Sequence, residues 1–216
     1  MVDRLERFGV AVICVTILAG WGCWNRGPSR LHPPGISASG AGSGAMEQYD
    51  TNSDGKVCAE ELDKAPALKA ALKNLDKDGD GCVSADEVTA RVEAWQDSRI
   101  GRMSFSCSVT RNGKPLAGAT VNFVPEKYLG DELKGCTGTT DKNGVAVLTI
   151  PDADPPGTPD ADPPGVACGL YLVEISKKEG GTETVPAQYN SQTTLGQEAS
   201  QDAENVEMGV TYDLKY

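Results

Sequence analysis

The spacing of apolar positions changes character three times along the chain. Residues 8–18 form an apolar run behind Arg4 and Arg7, too short to span a bilayer comfortably and patterned like an export signal. Residues 25–45 are then mostly Gly, Ser, Pro and Ala with almost nothing to bury, which predicts a flexible tether. A helical period follows: Met46 and Tyr49, then Leu72 and Leu75, pair on one helix face, and Val88, Val92 and Trp95 fall at i, i+4 and i+7. Trp95 reads as a core residue of that face. Pro66 divides a helical stub from the helix after it.

From Met103 onward the period shortens to two. Phe105, Cys107 and Val109 alternate, Asn112-Gly113 is a hairpin signal, residues 119–124 resume the strand pattern, and Asp141-Lys142-Asn143-Gly144 turns into residues 145–150. Residues 169–176 are apolar enough for a central strand. In the last strand Val206, Met208, Val210, Tyr212, Leu214 and Tyr216 take one face, with Glu207, Thr211, Asp213 and Lys215 on the other. Six or seven strands so spaced predict an antiparallel β-sandwich. The expected fold is therefore multidomain, α followed by all-β: a leader over 1–23, a disordered linker over 24–45, a small helical unit over 46–97 and a sandwich over 103–216.

The 216 residues carry a formal net charge of -11, which argues against nucleic acid, because a binder needs clustered Lys and Arg to replace the counterions on phosphates. Residues 46–97 hold 13 acidic and 6 basic side chains, so 7 of that excess lies where the helical spacing is found. The sole histidine, His32, lies in the tether, and the cysteines are scattered rather than tightly spaced, which disfavours His-based catalysis and a zinc site. The expectation is a protein that is not an enzyme.

The acidic residues fall in two twelve-residue patterns, 50–61 and 76–87. A calcium loop of this length places oxygen ligands at positions 1, 3, 5, 7, 9 and 12, with Gly at 6 where the chain turns with positive φ. In the first, Asp50, Asn52 and Asp54 precede Gly55, Lys56 offers its carbonyl, and Glu61 supplies a bidentate carboxylate. Cys58 at position 9 is a poor oxygen substitute. In the second, Asp76, Asp78 and Asp80 precede Gly81, Cys82 offers its carbonyl, Ser84 suits a water-bridged contact, and Glu87 closes the loop. Two EF-hands, and two Ca2+ ions, are expected, the second loop being the better site. Val57 and Val83 at position 8 should pair antiparallel, which sets Cys58 opposite Cys82 at a Cα separation of about 4.5 Å, within disulfide range.

The helical unit resembles the EF-hand pairs of secreted bacterial proteins, with Leu62-Asp63-Lys64-Ala65-Pro66 after the first loop and Asn74-Leu75-Asp76 opening the second. A dockerin-like docking module is the related alternative, disfavoured because dockerin loops generally end in Asp. The chain from Phe105 to Tyr216 resembles the carboxypeptidase regulatory-like domains, of transthyretin-like or Ig-like fold. The resemblance lies in Asn112-Gly113-Lys114-Pro115-Leu116-Ala117-Gly118-Ala119-Thr120-Val121, in Gly138-Thr139-Thr140-Asp141-Lys142-Asn143-Gly144, and in Pro163-Pro164-Gly165 ahead of Tyr171-Leu172-Val173. It implies an accessory module with no catalytic residues. Pro-Asp-Ala-Asp-Pro-Pro-Gly occurs twice within 151–165, a loop lengthened by duplication. Cys107, Cys136 and Cys168 permit three single bridges, of which Cys136 with Cys168 is the one expected.

Leu18-Ala19-Gly20-Trp21-Gly22-Cys23 resembles a bacterial lipobox, though Gly20 and Trp21 depart from it; lipidation at Cys23, ordinary cleavage and an uncleaved anchor stay open. The expected protein is exported to the periplasm or cell surface and attached to a membrane. Its structural calcium sites accompany a sandwich for adhesion or scaffolding, with a protein or cell-surface partner open to it. The alternative is a calcium-responsive sensor, which the single Met46 and the short connection between the loops disfavour.

Overall fold

The computed structural model describes residues 33–151, 165–203 and 209–216. The expected leader over 1–23, with Cys23, lies outside the described residues, as does most of the duplicated Pro-Asp segment. Among the described residues no helix is long and apolar enough to cross a membrane.

The helical part begins with α1 (Ala38–Tyr49), followed by β1 (Lys56–Cys58), α2 (Ala59–Leu62), α3 (Pro66–Leu75), β2 (Cys82–Ser84) and α4 (Ala85–Asp97). Helix α1 corrects the expected tether, since residues 38–45 of it are helical. Ser37 caps it, its Oγ accepting the Gly40 amide at 3.2 Å. The small residues that read as linker are what let α1 approach α4. Ala41, Gly42 and Ala45 are buried, and a Cβ at Gly42 would lie 2.3 Å from the Ala85 carbonyl and 2.4 Å from Thr89 Oγ1. Pro66 stands at the start of α3, where its missing N–H costs no helical bond. Leu68, Leu75, Val88, Val92 and Trp95 are all buried, so Trp95 is core as expected.

The β-rich part comprises β3 (Phe105–Arg111), β4 (Lys114–Pro115), β5 (Thr120–Pro125), β6 (Cys136–Thr139), β7 (Val145–Leu148), β8 (Gly169–Ser176), β9 (Lys178–Glu179), β10 (Thr182–Glu183), β11 (Gly196–Ala199) and β12 (Val210–Leu214). One sheet has the order β11-β8-β5-β6, all antiparallel. A second is built on β3, which pairs with β12 along one edge and with β4 and β7, and β9 pairs with β10 in a separate two-stranded sheet. Bonds between the backbones of Thr137 and Thr149 join the first two sheets. Phe105 of β3 meets Phe123 of β5 edge-on at 5.2 Å, and Phe123 meets Tyr171 of β8 at 5.6 Å, so residues from both sheets share the core.

The expectation of an antiparallel sheet holds for every pair but one. Strand β12 runs parallel to β3, Val210 opposite Cys107 and Leu214 opposite Arg111, because the final strand returns along the free edge of the first in the same direction. Tyr212 and Leu214 are buried as the alternation requires, whereas Tyr216 is exposed beyond the strand, and Val206 and Met208 lie outside the described residues. Asn112 and Gly113 take φ of 52° and 76°, the two positive values that a tight hairpin turn needs. The expected Cys136–Cys168 bridge is absent. Cys107, Cys136 and Cys168 are buried thiols, and Cys136 Sγ donates to the carbonyls of Gly165 and Lys134 instead. Burial pushes these thiols up, to about 12 for Cys107 and about 11 for the other two, so they stay protonated.

The two parts pack against one another along two seams. At one, α3 lies on β11 and β8 so closely that a Cβ at Gly196 would stand 2.1 Å from the Pro66 carbonyl. There Arg91 of α4 is buried beside Glu198 of β11 at 2.5 Å, with the Trp95 indole N–H and the Asn74 amide also donating to Glu198. At the other, Glu126 receives the Tyr49 hydroxyl at 3.0 Å and the Gln48 amide at 3.3 Å, both from the end of α1. Tyr49 also meets Tyr128 edge-on at 6.3 Å.

Two tests follow from this packing. Gly42→Ala should destabilise the chain by about 1–3 kcal/mol in denaturant unfolding, since the added methyl meets backbone, whereas the same change in an open helix stabilises by about 1 kcal/mol. Burial raises the Glu126 carboxyl, and the Tyr49 and Gln48 hydrogen bonds only partly oppose this. The stability Glu126 contributes is therefore fully present below the ordinary glutamate value of about 4.3 and is lost as pH rises through its raised value. Glu126→Gln should melt above the parent near neutrality, and thermal scans should show the gap closing toward acid.

Candidate metal centre

Each loop is framed by the elements that the pattern predicted. The C-terminal ends of α1 and α3 deliver Asp50 and Asp76, and α2 and α4 carry Glu61 and Glu87 in their first turns. Between them β1 and β2 pair with Val57 opposite Val83 and Cys58 opposite Cys82. The two cysteines form a disulfide, with Cα atoms 4.4 Å apart, as the register required. Gly55 and Gly81 take φ of 87° and 80°, the left-handed turn expected at position 6.

In loop 76–87 one carboxylate oxygen from each of Asp76, Asp78 and Asp80 falls within 4.8 Å of the others. That is twice a calcium–oxygen distance of about 2.4 Å, the largest separation between two ligands of one ion. Backbone amides fix these side chains: Gly79 and Gly81 donate to Asp76 at 2.6 and 2.9 Å, Asp80 to Asp78 at 3.2 Å, and Cys82 to Asp80 at 2.9 Å. Glu87 lies outside that cluster, its Oε1 accepting the Lys77 amide and its Oε2 the Ser84 amide and hydroxyl. Burial works to raise the Glu87 carboxyl, but the amides of Ser84 and Lys77 outweigh it and hold the group below its usual range.

Loop 50–61 repeats the amide bonding with a weaker donor set, and among the described residues its carboxylates Asp50, Asp54 and Glu61 do not gather into such a cluster. Asp50 accepts the amides of Asp54 and Gly55, Asn52 that of Asp54, and Asp54 that of Lys56. Glu61 is buried within the loop, its Oε1 receiving Thr51 and Asn52 and its Oε2 the Cys58 amide. These bonds, from Cys58 foremost, hold its carboxyl below the ordinary value. Position 9 contributes no side chain, since Cys58 is consumed by the disulfide.

The donor sets are oxygens alone, carboxylate, amide and backbone carbonyl, which fit a hard divalent cation of calcium size rather than zinc. The ligand spacing assigns only the carbonyl of Lys56. Its ammonium in fact crosses to the second loop, 3.4 Å from Asp78 and also paired with Asp80, whose carboxyl it lowers. The signal for this was latent in the β1–β2 register, which sets Lys56 opposite Ser84.

A family model described as EF hand matches residues 44–64 and 68–90, which cover both loops. An EF-hand region implies calcium binding. No curated protein and no solved structure matches the chain.

The disulfide closes a separation of 24 residues. Replacing both Cys58 and Cys82 by Ser should cost about 3 kcal/mol in chelator, read by denaturant unfolding. No change on replacement would show that the bridge does not restrain the unfolded chain.

Proposed function

We propose that the protein is an exported, membrane-tethered, non-enzymatic calcium binder, holding two ions at structural EF-hands beside a β-sandwich of the carboxypeptidase regulatory-like kind that serves adhesion or scaffolding. The observation that carries the calcium part is the convergence of Asp76, Asp78 and Asp80 in the second loop; the proposed ligands are Asp50, Asn52, Asp54, the Lys56 carbonyl and Glu61 in the first loop, and Asp76, Asp78, Asp80, the Cys82 carbonyl and Glu87 in the second. Backbone amides orient these carboxylates. Pre-oriented ligands favour a site that stays filled at extracellular calcium, where modules of this kind bind at about 0.1–1 mM.

A structural role is further supported by the Cys58–Cys82 bridge, which ties the two loops together at their shared strand. A sensor works by opening its helix pair to expose an apolar groove, and a covalent tie at the hinge opposes that motion. Export is supported by the apolar run at 8–18 behind two arginines and by a disulfide, which persists in oxidising compartments. Attachment rests on Cys23 and its preceding residues. The non-enzymatic reading rests on the clustered carboxylates, which the metal loops already use.

Calorimetric titration of the chain with calcium should give two binding events, one removed by Glu61→Gln and the other by Glu87→Gln, with little change in helix content on adding chelator. Absence of binding at millimolar calcium would overturn the reading, and a large gain of helix on calcium addition would favour the sensor.

A further inference from the structure

One buried carboxylate outside the metal loops touches both helices of the second EF-hand. Glu198 lies on β11 and is 2% exposed. Its Oε2 accepts the Asn74 side-chain amide of α3 at 2.8 Å; its Oε1 accepts Arg91 Nε at 2.6 Å and Trp95 Nε1 at 3.1 Å, both of α4. Asn74 stands two residues before Asp76, the first ligand position, and Arg91 four residues after Glu87, the last. The ion must be met from both sides, by the aspartates that follow α3 and by the glutamate carried on α4. A calcium–oxygen distance of about 2.3–2.6 Å leaves little tolerance in the separation of those helices. The disulfide fixes the strand side of the loop and leaves the helix side to other contacts.

We infer that Glu198 is a positioning residue for the second metal loop. By bonding α3 and α4 to one strand, it sets their separation and couples calcium affinity at residues 76–87 to the docking of the helical part on the β-rich part. The inference rests on the calcium-binding reading above. The coupling is reciprocal: docking that holds the helices at the metal-competent spacing raises affinity, and the bound ion strengthens docking by the same factor. Among the described residues the first loop has no equivalent, because α2 is only four residues long and its partner helix α1 meets a different carboxylate, Glu126. Arg91 keeps a second anchor when Glu198 is changed, since Asp202 receives it through two bonds of 2.9 and 2.7 Å and Ser200 Oγ accepts at 3.0 Å.

The test uses a Glu61→Gln parent, in which residues 76–87 form the sole intact loop, and reads calcium affinity by calorimetry. Glu198→Gln and Asn74→Ala should each weaken binding about fivefold or more, the lower end of ordinary site-to-site coupling. Asp202→Asn, which leaves every bond to Glu198 in place, should leave affinity within about twofold of the parent. In thermal scans, calcium should raise the melting temperature less in Glu198→Gln than in the parent. If Glu198→Gln does not fold, Asn74→Ala decides, because it removes one arm from a partly exposed helical position. Unchanged affinity in the folded variants overturns the positioning role and leaves calcium binding standing. A parent that binds no calcium overturns the calcium reading at this loop itself.

Discussion

A buried charge must be partnered, and the arrangement of the whole molecule turns on one such pair. The Arg91 and Glu198 side chains, 5% and 2% exposed, meet at 2.5 Å where α4 crosses β11. Separating the helical part from the β-rich part would leave each of them desolvated without its counterion until water entered, and stranding one partner of a buried pair costs about 3–5 kcal/mol. The Trp95 indole and the Asn74 amide use the same carboxylate, so its acceptor sites on both oxygens are occupied. A pair of this kind adds little net stability over apolar packing, but it specifies one orientation of α3 and α4 against the sheet.

Small residues make that orientation sterically accessible. Gly42 lets α1 lie against the first turn of α4, and Gly196 lets β11 pass beneath the start of α3, each in a gap that a methyl group would overfill. On the opposite seam Glu126 is held by α1 alone, through Tyr49 and Gln48, in surroundings that favour its protonated form. The helical part is thus fastened to the strands through the end of α1, through α3 and through the middle of α4, while Asn52, Asp54, Asp78 and Asp80 of the loops stay exposed to solvent.

Within the loops, local chemistry does most of the ordering. Asp and Asn side chains accept the amides two to five residues ahead of them, glycine supplies the left-handed turn, and the closing glutamates reach back across the loop. The disulfide adds a covalent limit on how far the two loops separate. Lys56 adds charge compensation from one loop to the carboxylates of the other, which links the electrostatics of the two sites.

The sequence by itself determined the features that depend on neighbours close along the chain. The ligand spacing of both loops, the position-8 pairing of Val57 with Val83, the bridge that follows from that register, the helix faces carrying Leu75 and Trp95, and the Asn112-Gly113 hairpin are all set by periods of two, three or four residues. Tertiary structure decided what has no local period. A run of Gly, Ala and Ser reads as tether unless a partner helix is present to bury Ala41 and Ala45. The last strand's alternation is identical whether it pairs parallel or antiparallel, so the direction of β12 against β3 was set by the return path of the chain. Cys136 and Cys168 could not be judged by count, because pairing depends on the direction of each thiol in the folded core. Glu198 carried no signal at all: in the sequence it is one polar residue between Gln197 and Ala199, and only the packing of two helices onto its strand brings Asn74, Arg91 and Trp95 to its oxygens.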